Sequence, residues 1–196
     1  MIRYLVIISI LLVTFSCQEK RALGLVSDDK EAEEKLINYD KKLSQLPKNM
    51  KITSLEISKS RYRLYAYHKN LLVKSYPVVF GFNPVDDKLM EGDGCTPEGE
   101  FKIKTKYPHK KWSKFIWLDY PNAQSQKKHA EAKKAKLIPV KATIGGSVGI
   151  HGVPYMTDIS ISQRVNWTLG CISLKNKDID ELYSYVENNT VVKIYK

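Results

Sequence analysis

The stretch from residue 51 to residue 120 consists of short segments rich in β-branched and aromatic residues, and this pattern constrains the fold most. The segments ITSLEI, RYRLYAY, LLVKSYPVVF, GEFKIKTK and FIWLDY each have the length and composition of a strand. In RYRLYAY, alternation places Leu64 and Ala66 on one side of the strand. The residues His68-Lys69-Asn70 that follow predict a hairpin turn. We therefore predict a mainly β fold.

The C-terminal part of the chain mixes strand and helix signals. Residues 145–196 predict strand, loop, strand, helix, strand, with TVVKIY as the last strand. Asn176 or Asp178 is a suitable N-terminal cap for the helix. Its apolar face comprises Ile179, Leu182, Tyr183 and Val186.

A second short helix is predicted at residues 123–135, in a lysine-rich stretch. Such a charge run usually forms a solvated face. The alternative is an insertion that overhangs a binding groove and attracts an acidic substrate. The lysines are Lys127, Lys128, Lys133, Lys134 and Lys136.

The first seventeen residues, MIRYLVIISILLVTFSC, combine a basic residue with an apolar run that ends in Ser16 and Cys17. The run is shorter than the about 20 apolar residues of a membrane-spanning helix, and it is typical of an export signal. A small residue before a cysteine resembles a bacterial lipoprotein signal. This resemblance implies a signal peptide at 1–16 and a lipid on Cys17, with an ordinary secretory signal or a single-pass anchor as alternatives. Residues 17–50 then predict a charged helical spacer.

Length and charge restrict the chain further. With 196 residues, of which 43% are hydrophobic, we expect one main domain at 51–196. The formal net charge of +11 favours anionic partners. Trp112, Phe115 and Trp117 lie near the lysine-rich stretch, but no nucleic-acid-binding motif accompanies them, and an exported chain does not meet nucleic acid. We therefore expect a monomer in the periplasm or cell envelope that binds no nucleic acid.

The histidines and cysteines show no metal-binding pattern. The four histidines form neither HExxH nor close Cys/His pairs, so we expect neither a metal site nor a cofactor. If Cys17 carries a lipid, Cys95 and Cys171 are the remaining thiols, and two cysteines without CxxC make no disulfide scaffold. Cys95 is interpreted as a partly buried, non-catalytic thiol.

One histidine and one cysteine lie in glycine-containing segments that suit catalysis. His151 in GGSVGIHG precedes Cys171 in TLGCISL by 20 positions. A neighbouring imidazole lowers the pKa of a thiol and makes it a usable nucleophile for acyl transfer. The backbone N–H groups around Leu169 and Gly170 are then candidates for an oxyanion hole. Spacing alone leaves open that Cys171 is a buried structural side chain.

Three ordered motifs resemble the L,D-transpeptidase catalytic domain, the YkuD-like domain. They are TPEGEF at 96–101, IHG at 150–152 and TLGCI at 168–172, and the closing helix and strand match as well. The resemblance covers residues 51–196 and implies a curved β-sandwich or barrel of short strands with one or two peripheral helices. Two positions depart from the family pattern, since Leu169 stands where His is frequent and Ser173 where Arg is frequent.

The resemblance also implies a mechanism. Cys171 attacks the carbonyl before the terminal D-alanine of a peptidoglycan tetrapeptide stem, His151 transfers the proton, and a thioester forms on Cys171. An amine from a second stem, a lipoprotein lysine or a free D-amino acid resolves the thioester. The implied supporting residues are Gly152, Thr168, Ser173 and Trp167, and Tyr155 and Met156 are expected to border the groove.

A third group must fix the imidazole, and several residues are suitable. In this family it is commonly a backbone carbonyl or a small polar residue. Three residues are candidates and stay unranked. They are Ser147, Asp158 and Thr168.

Other functions remain open from the sequence. If water instead of an amine attacks the thioester, the protein is a peptidoglycan peptide hydrolase, a carboxypeptidase or amidase, on the same fold. A non-catalytic peptidoglycan-binding lipoprotein is a further alternative. TLGC also resembles the TLxTC of sortases, but residues 172–196 lack the arginine that a sortase needs after its cysteine.

Overall fold

The computed structural model describes residues 50–154 and 157–196. The predicted signal peptide, Cys17 and nearly all of the predicted spacer lie outside these residues, and so do Tyr155 and Met156. Within the described part of the chain, no helix is both long and apolar enough to cross a lipid bilayer.

The described chain forms a curled sheet of eight short strands, which confirms the mainly β prediction. Across the sheet the strands follow the order β3-β2-β1-β8-β4-β5-β6-β7. Their bounds are β1 (Ser54–Ser58), β2 (Arg63–His68), β3 (Leu71–Pro77), β4 (Gly99–His109), β5 (Ser113–Leu118), β6 (Gly149–His151), β7 (Ile172–Ser173) and β8 (Val191–Tyr195).

The predicted segments become strands because their apolar residues alternate towards one core. β2 and β3 pair as an antiparallel hairpin at the predicted place, but His68 belongs to β2 and pairs with Leu71, so the turn is Lys69-Asn70. β1 pairs in parallel with β8 and so joins the two ends of the domain. Burying one Leu or Ile side chain stabilises a fold by roughly 1.5–3 kcal/mol. Fully buried residues of this core include Ile57, Leu64, Phe101, Ile116 and Ile150.

Three helices accompany the sheet in the described residues: α1 (Ala123–Lys134), α2 (Ile159–Ser162) and α3 (Asn176–Tyr185). α3 packs against β5 and β6 and buries Ile179 and Leu182. The predicted cap of α3 is wrong. The cap residue is Lys175, which makes no side-chain cap bond. The N–H of Asn176 instead donates to Oδ1 of Asp158, 18 residues upstream, at 3.1 Å.

The segment after β3 returns to the far edge of the sheet and positions the loop before β7. Val79 forms an antiparallel bridge with Ser173, and Gly81 forms a parallel bridge with Thr168. A Cβ on Gly81 would lie 2.0 Å from the carbonyl oxygen of Gly94, so only glycine fits there. These bridges bring the two outer strands of the sheet towards each other and hold the Gly170-Cys171 turn between them.

Candidate active site

Strand pairing brings Cys171 and His151 to one face of the sheet. β6 and β7 run parallel, with Ile150 opposite Ile172 and His151 opposite Ser173. Because side chains alternate along a strand, Cys171 faces the same side as Ser173 and His151. Neighbouring strands lie about 4.8 Å apart and two residues span about 6.6 Å, so Cys171 and His151 are diagonal neighbours.

The imidazole of His151 is fixed by a backbone carbonyl. Nδ1 lies 2.6 Å from the carbonyl oxygen of Gly152. Since a carbonyl only accepts hydrogen bonds, Nδ1 carries the proton and Nε2 keeps a free lone pair. The same oxygen accepts a hydrogen bond from Oγ of Ser173 at 3.2 Å. His151 and Ser173 are buried, so this arrangement is shielded from water.

Aromatic rings enclose the imidazole. Trp112 stacks on it with the ring centroids 4.4 Å apart, and Phe115 lies nearly parallel to it at 5.6 Å. Trp167 meets it edge-on at 5.6 Å. Burial lowers the pKa of His151 to about 4, although the hydrogen bond to Gly152 acts in the opposite direction. The imidazole is therefore neutral at physiological pH and is able to accept a proton.

The thiol of Cys171 is neutral as well. Burial raises its pKa above the ordinary thiol value, and a backbone hydrogen bond with Gly149 opposes that shift. In the described residues its sulfur donates to the carbonyl oxygen of Ser147 at 3.5 Å. The expectation that the imidazole lowers the pKa of this thiol is therefore wrong for the free protein, because burial dominates. The thiol and the imidazole are therefore both neutral in the free protein.

Thr168 stabilises the turn that carries the thiol. Its Oγ1 donates to the carbonyl oxygen of Cys171 at 2.7 Å and accepts from the N–H of Gly170 at 3.2 Å. The N–H of Gly170, an expected oxyanion donor, is thus engaged in this structure. Leu169 next to it is 76% exposed. A φ of 142° at Gly170 favours glycine at this position.

The three side chains considered for orienting the imidazole have other roles. Asp158 accepts from the N–H of Asn176 at the start of α3. Thr168 bonds within the turn, and Ser147 contacts the thiol through its backbone. The orienting group is the carbonyl of Gly152, which belongs to the backbone class that the resemblance implied.

Gly152 itself has no room for a side chain. A Cβ there would lie 2.2 Å from Oδ1 of Asn176 and 2.6 Å from the carbonyl oxygen of Trp112. The same groups bind the backbone around it, because Gly152 N–H donates to the Trp112 carbonyl and Val153 N–H donates to Asn176 Oδ1. The tight packing fixes the direction of the Gly152 carbonyl.

Sequence reasoning missed the aromatic enclosure. In the sequence, Trp112 and Phe115 are only aromatics near a basic stretch. Their contact with His151 depends on the pairing of Phe115 with His151 across β5 and β6. The enrichment of aromatics in and just before FIWLDY was the one available signal. Trp167, which was expected to support the site, does touch His151, and its buried Nε1 has no partner among the described residues.

The fold and this face define a mainly β protein with a histidine on β6 and a cysteine directly before the neighbouring strand β7. The family model of the L,D-transpeptidase catalytic domain (YkuD) matches residues 53–194. The chain therefore belongs to this family, and the resemblance inferred from the three motifs is confirmed.

Solved structures show the same fold. Bd1075 of Bdellovibrio bacteriovorus has a TM-score of 0.53 at 17% identity, over 76% of this chain and 49% of that one. The helical cell shape determining protein Pgp2 of Campylobacter jejuni has a TM-score of 0.52 at 21% identity, over 81% of this chain and 55% of that one. This chain thus spans about half the length of either protein. No curated protein matches its sequence.

Proposed function

We propose that this protein is a cell-wall L,D-transpeptidase that acts on peptidoglycan tetrapeptide stems through a thioester on Cys171. The observation that carries the proposal is the placement of Cys171 beside His151, whose Nδ1 is bound to Gly152 and whose Nε2 is free to accept a proton. Membership of the L,D-transpeptidase family supports the reaction class.

In the proposed first step, Sγ of Cys171 attacks the stem carbonyl while Nε2 of His151 takes the thiol proton. Coupled transfer suits two groups that are both neutral at rest. The N–H groups of Leu169 and Cys171 are proposed to bind the oxyanion, joined by that of Gly170 if it leaves Thr168. When the intermediate collapses, the carbon–nitrogen bond breaks, the imidazolium protonates the leaving D-alanine amine, and a thioester remains.

In the second step an amine attacks the thioester. His151 removes the proton of the amine, a new amide forms, and the thiol is restored on Cys171. A stem amine produces a cross-link, whereas a free D-amino acid or a lipoprotein lysine produces an exchange or an attachment. Water produces a shortened stem by hydrolysis.

The experiment is incubation of the full chain with purified tetrapeptide muropeptides and separation of the products by mass. A dimer linked between two diamino acids supports transfer, and a tripeptide alone indicates the hydrolase instead. Cys171→Ala is expected to remove either product, with Cys95→Ala as the matched control because it removes the other free thiol of the described residues, which is buried. If the wild-type chain forms neither product, the alternative that remains is a non-catalytic wall-binding lipoprotein.

Location is part of the proposal. We propose export to the periplasm or cell envelope and a lipid on Cys17, on the basis of the apolar run that ends there. The intact mass of the protein from membranes tests this, since a lipid adds mass that Cys17→Ala must lose. Recovery of Cys17→Ala in the soluble envelope fraction is expected.

A further inference from the structure

We propose that Lys88 is a positioning residue that holds a positive charge beneath the Gly170-Cys171 turn and stabilises the anions that form on the thiol. This inference rests on the proposed function and adds a residue to it. Lys88 lies in the segment between β3 and β4, far in sequence from the two residues of the catalytic pair.

Lys88 is buried in an unusual way for a lysine. Its side chain is 5% exposed, and Nζ donates to Oδ1 of Asp93 at 2.8 Å and to the carbonyl oxygen of Met90 at 3.0 Å. Lysines are almost never fully buried unless they are paired. A buried pair contributes little net stability, so stability alone does not account for a lysine at this position.

The negative partner is already bound from several sides. Asp93 Oδ2 accepts from the N–H groups of Leu89 and Met90, and its Oδ1 accepts from the N–H of Cys95. These bonds and Lys88 lower the pKa of Asp93, although its burial acts in the opposite direction. The carboxylate is therefore held by the loop, and the ammonium forms the other end of the pair.

The ammonium end faces the nucleophile turn. The three atoms nearest to a Cβ built on Gly170 are the carbonyl oxygen and carbon of Cys95 and, at 3.8 Å, Nζ of Lys88. Lys88 also acts on the sulfur itself, because its charge lowers the pKa of Cys171 against the larger effect of burial. No atom of Asp93 is among those three atoms, so the positive end of the pair is the end that lies nearer to the turn.

A fixed charge here acts when negative charge develops. The proton leaves Sγ as attack begins, and the electron pair then moves to the stem oxygen beside the turn. Charges interact more strongly in a buried site than in water, and a fixed group needs no reorganisation during the reaction. In the described part of the chain, the charged and titratable groups near the turn are Lys88 with Asp93, the thiol of Cys95 and His151 on β6.

The test measures how fast iodoacetamide labels Cys171 as the pH rises, by peptide mapping of the full chain so that each cysteine is read separately. Lys88→Met is expected to raise the midpoint by on the order of one pH unit, which is about tenfold slower labelling at a fixed pH below it. Because Lys88→Met leaves Asp93 unpaired, the double variant Lys88→Met/Asp93→Asn provides a second measurement without a lone buried charge.

The matched control is Lys59→Met/Glu98→Gln. Lys59, which directly follows β1, is also buried and pairs at 2.8 Å with Glu98 in the segment before β4, but its charge is not a cause of the pKa shift of Cys171. This control is expected to shift the midpoint by less than about 0.3 pH unit. Equal shifts in the two double variants, or none in either Lys88 variant, would overturn the proposal. Labelling does not require turnover. It therefore still tests the role of Lys88 if the proposed transpeptidase reaction is not observed.

Discussion

At the scale of single residues, one carbonyl oxygen organises the candidate site. The oxygen of Gly152 accepts from Nδ1 of His151 and from Oγ of Ser173. Ser173 therefore has a role although it departs from the arginine frequent in the family. Ser173 holds the Gly152 carbonyl, and that carbonyl orients the imidazole of His151.

Ser173→Ala is expected to lower kcat/KM about fivefold, which corresponds to the roughly 1 kcal/mol of one lost hydrogen bond. The measurement is stem turnover by Ser173→Ala against Ser125→Ala, a control that loses another buried serine hydroxyl, in α1. Ser173→Thr keeps a hydroxyl and is expected to recover part of the rate. A fall in rate that is equal for Ser125→Ala would contradict the positioning role.

The pH profile of the reaction reports on His151. Its pKa is lowered to about 4, so the imidazole stays neutral above that pH and becomes protonated, and inactive as a base, below it. We expect kcat/KM to stay level from about pH 8 down to about pH 5 and to fall with a midpoint near 4. A midpoint near 6.5, the ordinary histidine value, would show that the imidazole is not buried in solution.

The sequence was sufficient to select His151 and Cys171 as the candidate pair but not to predict their surroundings. Gly152 directly follows His151 and Gly170 directly precedes Cys171, and both glycines belong to the motifs that identify the pair. The carbonyl of Gly152 carries no side-chain signal, and Lys88 is one of many lysines. Their roles arise only from the pairing of β6 with β7 and from the contact of Gly170 with Cys95.

At the scale of elements, α3 obtains its cap from a distant loop. Asp158 accepts the Asn176 N–H, while Asn176 Oδ1 binds Val153 N–H and so holds the chain after His151. The local pattern suggested Asn176 or Asp178 because caps are usually near in sequence. The fold instead supplies the carboxylate of Asp158, which directly precedes α2.

Asp158→Ala is expected to lower the free energy of unfolding by about 1 kcal/mol, because it removes a carboxylate from a helix N-terminus. Chemical denaturation of the two variants Asp158→Ala and Asp178→Ala checks this. Burial raises the pKa of Asp178, so its charge is not stabilised by its surroundings and its loss is expected to cost less. Equal losses from the two variants would show that Asp158 is not the cap.

The turn between β4 and β5 supplies the ring that covers His151. Trp112→Leu removes a stacked indole and opens one side of the imidazole, so the pKa of His151 is expected to rise from about 4 towards 6.5. The pH at which kcat/KM falls to half on the acid side is then expected to rise by about one pH unit. Trp117→Leu on β5 is the control, since Trp117 contacts Phe115 and Lys104. If the pH of half-maximal kcat/KM is unchanged in Trp112→Leu, the account of burial is contradicted.

At the scale of the whole molecule, the strand content follows from the sequence and the strand order does not. Alternation identifies ITSLEI and TVVKIY as strands, yet their parallel pairing joins residues near the two ends of the domain. The return of the chain after β3 to Ser173 is equally non-local. Local patterns contain no information about such pairs, because many registers bury the same apolar residues.

Some lysines of the lysine-rich helix make contacts within the protein, and others face solvent. Lys128 pairs with Asp87 and donates to the Glu98 carbonyl at 2.8 Å, and His129 lies 2.6 Å from the Leu89 carbonyl, so α1 packs against the segment before β4. The exposure of Lys127, Lys134 and Lys136 fits the solvated face, and the insertion over a binding groove stays a prediction. One lysine holds the helix in place, and others remain exposed in a protein of net charge +11.

Those exposed lysines are expected to attract the acidic wall polymer over a distance. Replacing three of them with Gln is expected to reduce co-sedimentation with purified peptidoglycan several-fold at low salt, with the difference vanishing near 0.5 M salt, where the screening length is about 4 Å. Stability should change by less than about 0.5 kcal/mol, because the side chains face solvent. A triple replacement elsewhere removes the same charge, and equal weakening by it would show that net charge alone, and not α1, attracts the polymer. The α1 set is Lys127, Lys134 and Lys136, and the control set is Lys102, Lys177 and Lys193.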